Sequence, residues 1–181
     1  MMKNRSFAAA YVLFLLSTLA SSAAWGDTIS KSFTVSATIV NGCAFGNSLA
    51  TPISNLGTIN FGSMSSIPSN VDVVTASGTG SVVVTCTPGS TVTISMDYGV
   101  NGGNATQRLM ANTTSATQTL GYQLYPDAAR TQVWGTGSLA KIVTNFPLTT
   151  QTYPVYARLF AVTPLPTAGT YTDTVTVTLT Y

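Results

Sequence analysis

Hydrophobic and polar residues alternate along residues 27–40. Thr and Ser fill the even positions from 28 to 38, and Lys31 is the one polar residue at the odd positions from 29 to 39. The other odd positions hold Ile29, Phe33, Val35, Ala37 and Ile39. A period of two is typical of a β-strand with one buried face and one solvent-facing face. The pattern therefore predicts a strand whose apolar face needs a hydrophobic partner.

The end of the chain shows the same alternation. Threonine occupies positions 174, 176, 178 and 180, and the intervening apolar residues are Val175, Val177, Leu179 and Tyr181. Between the two ends, Gly, Asn, Pro and Ser separate short β-type runs at 56–62, 71–76, 80–86, 90–99, 108–111, 120–126, 131–135 and 153–162. No helical period is found beyond residue 26. We therefore expect one all-β domain, a sandwich or a barrel, whose last strand is not followed by a pairing neighbour.

The first 26 residues predict a secretory signal peptide. Lys3 and Arg5 precede an apolar run at 8–20, and small residues follow up to Gly26, with Ala24 as the alternative cleavage point. The apolar run is shorter than the roughly 20 residues that span a bilayer. We therefore expect an exported chain with no membrane span after cleavage.

Charged residues are few and balanced. Of the 7 Lys and Arg residues, 2 lie in the predicted signal, so 5 remain against 5 Asp, and the net charge beyond residue 26 is zero. Such a chain is not expected to bind nucleic acid or anionic lipid. The sequence has no His and no Glu, which excludes Ser–His and Cys–His nucleophile pairs. We therefore expect no enzyme activity, no metal and no cofactor.

Cys43 and Cys86 are the only cysteines. In an exported chain, a disulfide between them is the natural expectation. A metal site or a reactive thiol is the alternative, which the lack of His and of a CxxC spacing disfavours.

Aromatic residues are concentrated in the second half of the chain, and two interpretations are open. Tyr122, Tyr125, Trp134, Tyr153, Tyr156 and Phe160 could form a sugar-binding platform or could pack as core and cross-strand residues. Alternation along the predicted strands favours packing. Asp127 and Arg130, three residues apart, are expected to pair across a turn.

Five motifs follow one another along the chain: NGCAFG at 41–46, INFGSMSS at 59–66, GSVVVTCTPG at 80–89, YQLYPDAARTQVWG at 122–135 and GTYTDTVTVTLTY at 169–181. Together they resemble the spore coat protein U domain family, and within it the subunits of archaic chaperone–usher (Csu-type) pili. The motif at 122–135 is the most specific, because strand propensity alone would not require it.

This resemblance implies an incomplete immunoglobulin-like β-sandwich that lacks its last strand and is held by the Cys43–Cys86 disulfide. In such pilins a periplasmic chaperone lends a strand, and an outer-membrane usher exchanges it for the N-terminal extension of the next subunit, a known case of β-strand addition. The implied domains are a signal at 1–26, a donor-strand extension at 27–40 and a pilin domain at 41–181. The donor residues would be Ile29, Phe33, Val35, Ala37 and Ile39. The edge of the acceptor groove would be Val175, Val177, Leu179 and Tyr181.

The function implied by the resemblance is that of a structural subunit of a surface pilus that supports adhesion and biofilm formation. Its partners would be neighbouring copies or other pilins, the chaperone and the usher. Lys31 interrupts the apolar face of the donor strand and leaves its register open. Two alternatives remain: a monomeric secreted coat protein or sugar-binding sandwich whose first strand pairs within its own chain, and a small outer-membrane β-barrel.

Overall fold

The computed structural model describes residues 26–181. The predicted signal peptide therefore lies outside the described residues, apart from Gly26. The described residues fall into two units, an N-terminal segment at 26–37 and a domain formed by Thr38–Tyr181. Residues 26–42 adopt no regular secondary structure in the single chain, so the strand predicted at 27–40 is not formed there.

The domain is built from short strands. Within the described residues there are eleven strands and one turn of 3-10 helix, at Gly137–Leu139. The strands are β1 (Cys43–Phe45), β2 (Val71–Val74), β3 (Val82–Cys86), β4 (Val92–Met96), β5 (Arg108–Asn112), β6 (Thr119–Tyr125), β7 (Lys141–Val143), β8 (Gln151–Tyr153), β9 (Tyr156–Leu159), β10 (Tyr171–Thr172) and β11 (Val177–Thr180). This confirms the all-β prediction.

The strands pair antiparallel in three sheets, with the orders β1–β3–β8, β10–β5–β6–β9–β2 and β11–β4–β7. Alternate residues of β3, β4, β6 and β9 point into one hydrophobic core, as the period of two predicts. Val84, Ile94, Leu124 and Leu159 are examples from these four strands, and all are buried. One core is therefore shared by all three sheets.

The C-terminal residues pass from one sheet to another. β10 pairs with β5 in the five-stranded sheet, whereas β11 pairs with β4, with Val177 opposite Met96 and Leu179 opposite Ile94. Strand β11 is at the edge of its sheet, so one side of its backbone has no strand partner in the described chain. An unpaired edge exposes N–H and C=O groups to which another strand can bind.

Two further predicted strands are not formed. The run at 56–62 contributes one isolated bridge, between Gly57 and Thr79, although its apolar residues pack against the core. The run at 131–135 is irregular, yet Trp134 is fully buried and its Nε1 donates to the carbonyl oxygen of Ile94 at 2.9 Å. In both runs apolar side chains are buried, but the backbone has no neighbouring strand with which to form a ladder of hydrogen bonds.

Candidate functional site

An open groove of about 1290 Å³ lies over part of the core. We call it the core groove: its two walls are residues 53–65 and 165–177, and its floor includes Leu120, Leu124 and Leu159. The floor residues belong to the hydrophobic core shared by the sheets. The groove is therefore a gap that reaches the core of the sandwich, with an apolar interior suited to apolar side chains.

One wall of the core groove lacks backbone partners along most of its length. Within the described chain, residues 58–66 make no backbone–backbone hydrogen bond. The opposite wall ends at Val177, the first residue of the edge strand β11. The backbone of residues 58–66 and the unpaired edge of β11 can therefore form hydrogen bonds with an added segment.

Asp173 anchors the wall at 165–177 where the chain crosses between sheets. Its Oδ1 accepts hydrogen bonds from the backbone N of Val100 and from Nδ2 of Asn101, both at 2.9 Å, and its Oδ2 accepts one from the Tyr122 hydroxyl at 2.7 Å. Burial, reinforced by this hydrogen bond and by the negative charge of Asp173, raises the pKa of Tyr122 far above its usual range. The Tyr122 hydroxyl therefore keeps its proton and remains a donor to Asp173.

A buried arginine lies behind this anchor. Arg108 is fully buried, and its guanidinium donates to the carbonyl oxygens of Asp97 (2.6 and 2.9 Å) and Trp134 (2.7 Å) and to Oε1 of Gln123. Burial lowers the pKa of Arg108 from its ordinary value, and nearby negative groups, Asp173 among them, oppose that shift. Buried polar groups need such partners because an unpaired one is costly. The sequence alone offered no signal for this role of Arg108.

The predicted donor residues are exposed in the single chain. Exposed fractions are 81% for Ile29, 87% for Phe33, 82% for Val35 and 88% for Ile39. Ala37 is exposed as well. Large apolar side chains left this open are available for an intermolecular contact.

The predicted groove-edge residues divide into two pairs. Val175 and Val177 line the core groove, although Val175 precedes β11. Leu179 is half-buried against the core but is not among the described residues lining the groove, and Tyr181 is 57% exposed. The structure thus brings the first two residues to the groove and leaves the last two beyond it.

The predicted disulfide is confirmed. Cys43 and Cys86 are opposite each other in β1 and β3, with an S–S distance of 2.02 Å, so the reactive-thiol alternative is wrong. The described residues contain no group of three or more His, Cys, Asp or Glu side chains placed to hold a metal ion. Among those same residues, no helix has the length and apolar character that crossing a membrane requires.

The prediction that Asp127 and Arg130 form an ion pair is wrong. Arg130 instead approaches Asp72, with an N–O distance of 3.4 Å. The Asp127 carboxylate accepts backbone hydrogen bonds from Thr131 and Gln132, both at 3.1 Å, because it closes the turn that follows β6. Of the aromatic residues, Tyr122, Tyr125 and Trp134 are buried, which favours their interpretation as packing residues.

Comparison with known proteins identifies the family. The model of the Spore Coat Protein U domain matches residues 29–178. The chain belongs to the Spore Coat Protein U domain family. A curated relative is Protein U of Myxococcus xanthus, which is 36% identical over 135 residues, or 69% of this chain and 72% of the relative. The family match spans nearly all of the described residues, including the exposed N-terminal segment from Ile29 onward.

The fold of this chain is similar to that of a solved structure. It is the crystal structure of the CsuC–CsuE chaperone–tip adhesion subunit pre-assembly complex from the archaic chaperone–usher Csu pili of Acinetobacter baumannii. The match has a TM-score of 0.52 and 22% identity, and it covers 80% of this chain but only 41% of the matched chain. This structural match and the antiparallel sheets packed around one core together confirm the predicted immunoglobulin-like β-sandwich.

Proposed function

We propose that this chain is a structural subunit of a chaperone–usher surface pilus and that it polymerises by donor-strand complementation. One combination of features carries the proposal: the core groove lies beside the unpaired edge strand β11, and a segment with alternating apolar residues is exposed at 29–39. Each feature alone is unfavourable for an isolated protein in water. Insertion of one subunit's segment into the next subunit's groove would bury the exposed apolar side chains and give the edge strand β11 a partner.

The energy that such a contact would provide can be estimated from the segment itself. A strand spanning residues 29–39 is about 36 Å long at roughly 3.3 Å per residue. Burial of Ile29, Phe33, Val35 and Ile39 contributes about 6–12 kcal/mol before ordering costs, at about 1.5–3 kcal/mol each. New backbone hydrogen bonds add about 0.5–1.5 kcal/mol each. The gross gain is sufficient for a long-lived contact.

The proposal also assigns the parts of the chain and their partners. Residues 1–26 direct export, 27–40 form the donor extension, and 41–181 form the acceptor domain. A periplasmic chaperone fills the core groove before assembly, and an outer-membrane usher exchanges it for the next subunit's extension. The complex named for the matched structure contains a chaperone and a tip adhesion subunit, which supports this class of partner. The assembled fibre lies at the cell surface and supports adhesion and biofilm formation, and the role is structural rather than catalytic.

A second candidate is a monomeric secreted coat protein. The family description and the Myxococcus relative favour it, because both carry the Protein U name and the family description refers to a spore coat. In that case residues 27–40 would pair within their own chain, and the core groove would be filled without a second copy.

An unheated SDS gel separates the two candidates. Purified full-length mature protein is compared with a version that lacks residues 27–39, each co-expressed with a chaperone and checked for folding by circular dichroism. A pilus subunit should give a ladder of SDS-resistant multimers that is lost on truncation. Folded monomer in both lanes would reject the proposal and favour the coat protein.

A further inference from the structure

The core groove carries one charged residue, and residues 28–40 carry one charged residue of the opposite sign. Among the described residues that line the groove, Asp173 is the one charged residue. Between Thr28 and Val40, Lys31 is the one charged residue, and it occupies a position on the otherwise apolar face. An unpaired charge in an apolar groove is costly, so each of these residues needs an explanation.

Asp173 has no cationic partner in the described chain. The hydrogen bonds to its carboxylate come from neutral donors, including the backbone N of Thr174, and the two salt bridges among residues 26–181 both involve Asp72. Arg108, which interacts electrostatically with Asp173, directs its guanidinium to two carbonyl oxygens and the Gln123 side chain. The positive charge of Arg108 is moreover shared between Asp173 and a second carboxylate, that of Asp97. Oδ2 of Asp173 accepts one hydrogen bond, from Tyr122, and can accept another.

We propose that Lys31 of one copy pairs with Asp173 of a neighbouring copy and thereby fixes the register of the donated strand. This inference rests on the proposed function, because it requires the segment of one copy to enter the groove of the next. Lys31 is exposed in the single chain, and its long side chain lets the ammonium reach the carboxylate while the methylene groups remain in the groove.

The alternation of side chains supports this alignment. Tyr171, Asp173 and Val175 are half-buried and alternate with exposed threonines. In the donor segment, Lys31 likewise occupies an alternate position with Ile29 and Phe33. If Lys31 is opposite Asp173, these apolar residues meet each other whether the two strands run parallel or antiparallel. A slip of one residue would turn the apolar face of the donor toward solvent. A slip of two would place Lys31 against Tyr171 or Val175 and leave both charges unpaired.

A double-mutant cycle on full-length chains tests the pair. Multimers of the parent protein, Lys31→Met, Asp173→Asn and the double variant are held in SDS at a series of temperatures, and their dissociation rates are measured. Asp27→Asn is the matched control, since it removes an exposed charge from the same segment. Thermal unfolding of each monomer shows whether the Asp173 variants are folded.

Pairing predicts that each single variant dissociates about tenfold faster, equivalent to about 1.4 kcal/mol. The double variant should return toward the parent rate, because no unpaired charge remains. Independent, multiplicative effects, or single variants that match the Asp27→Asn control, would overturn the pair while leaving donor-strand assembly intact. Absence of any multimers in the parent would instead reject the proposed function.

A second comparison does not depend on the folding of Asp173 variants. Lys31→Glu changes only an exposed side chain and would place a carboxylate next to Asp173. It should dissociate faster than Lys31→Met by a further factor of several. Equal rates for the two Lys31 variants would mean that no carboxylate lies opposite residue 31 and would overturn the pairing.

Discussion

Replacement of Phe33 by Ala is expected to weaken the contact between subunits without changing the stability of a single one. Phe33 is 87% exposed in the single chain, so its side chain has little packing to lose there. In the proposed joint it would be buried in the core groove, and truncation of a buried Phe costs about 3–5 kcal/mol. A loss of about 3 kcal/mol lowers the association constant between the two subunits roughly 100-fold.

The assay compares two quantities for the same variant. Dissociation of preformed multimers in SDS is followed on gels over time and temperature, and thermal unfolding of the chaperone-free monomer is followed by circular dichroism. Ser32→Ala, one residue away on the polar face of the segment, is the matched control and should leave both quantities unchanged. Equal destabilisation of monomer and multimer would refute the reasoning, because it would place Phe33 in the core of its own chain.

Three further changes test the domain itself. Replacement of Cys43 and Cys86 by Ser should lower the free energy of unfolding by about 4 kcal/mol, measured in urea, from the entropy of closing a loop with a sequence separation of 43. Arg108→Met should cost about 3–5 kcal/mol in the same titration, because buried acceptors lose their donors; a cost below 1 kcal/mol would contradict the network described above. The hydrogen bond from Arg158 holds the pKa of Asp72 below 3.8. The ionised carboxylate therefore stabilises the folded state above about pH 4, and this stabilisation is lost as the pH falls through the lowered pKa. Asp72→Asn should therefore lower stability by at most about 1 kcal/mol at neutral pH, and the difference should disappear once the pH falls below the lowered pKa of Asp72.

The sequence pattern predicted most strands because those strands have one buried face. In β4 and β9, for example, alternate side chains enter the core, and the period of two reports this burial directly. The pattern failed at 56–62, where Leu56, Ile59 and Phe61 also pack against the core. A strand additionally requires a partner for its backbone, which alternation cannot reveal, and the wall of the core groove lacks that partner in the single chain.

The polar parts of the site were not predictable for a different reason. Arg108 is fully buried, but its acceptors come from residues 97, 123 and 134, which are far apart in sequence. Likewise, the side chain of Asp173 is held by residues 100, 101 and 122. Short-range patterns carry no information on such contacts. The disulfide was predictable because the chain has only two cysteines, so a single pairing was available.

Photocrosslinking between isotopically distinct copies tests donor-strand exchange most directly. A photoactivatable phenylalanine analogue replaces Phe33 in an unlabelled chain, which is assembled together with a ¹⁵N-labelled parent chain, and mass spectrometry locates each crosslink. Donor-strand complementation predicts crosslinks between labelled and unlabelled chains, at residues 53–65 or 165–177 of the acceptor. Crosslinks confined to single chains, or crosslinks outside these two walls, would contradict it.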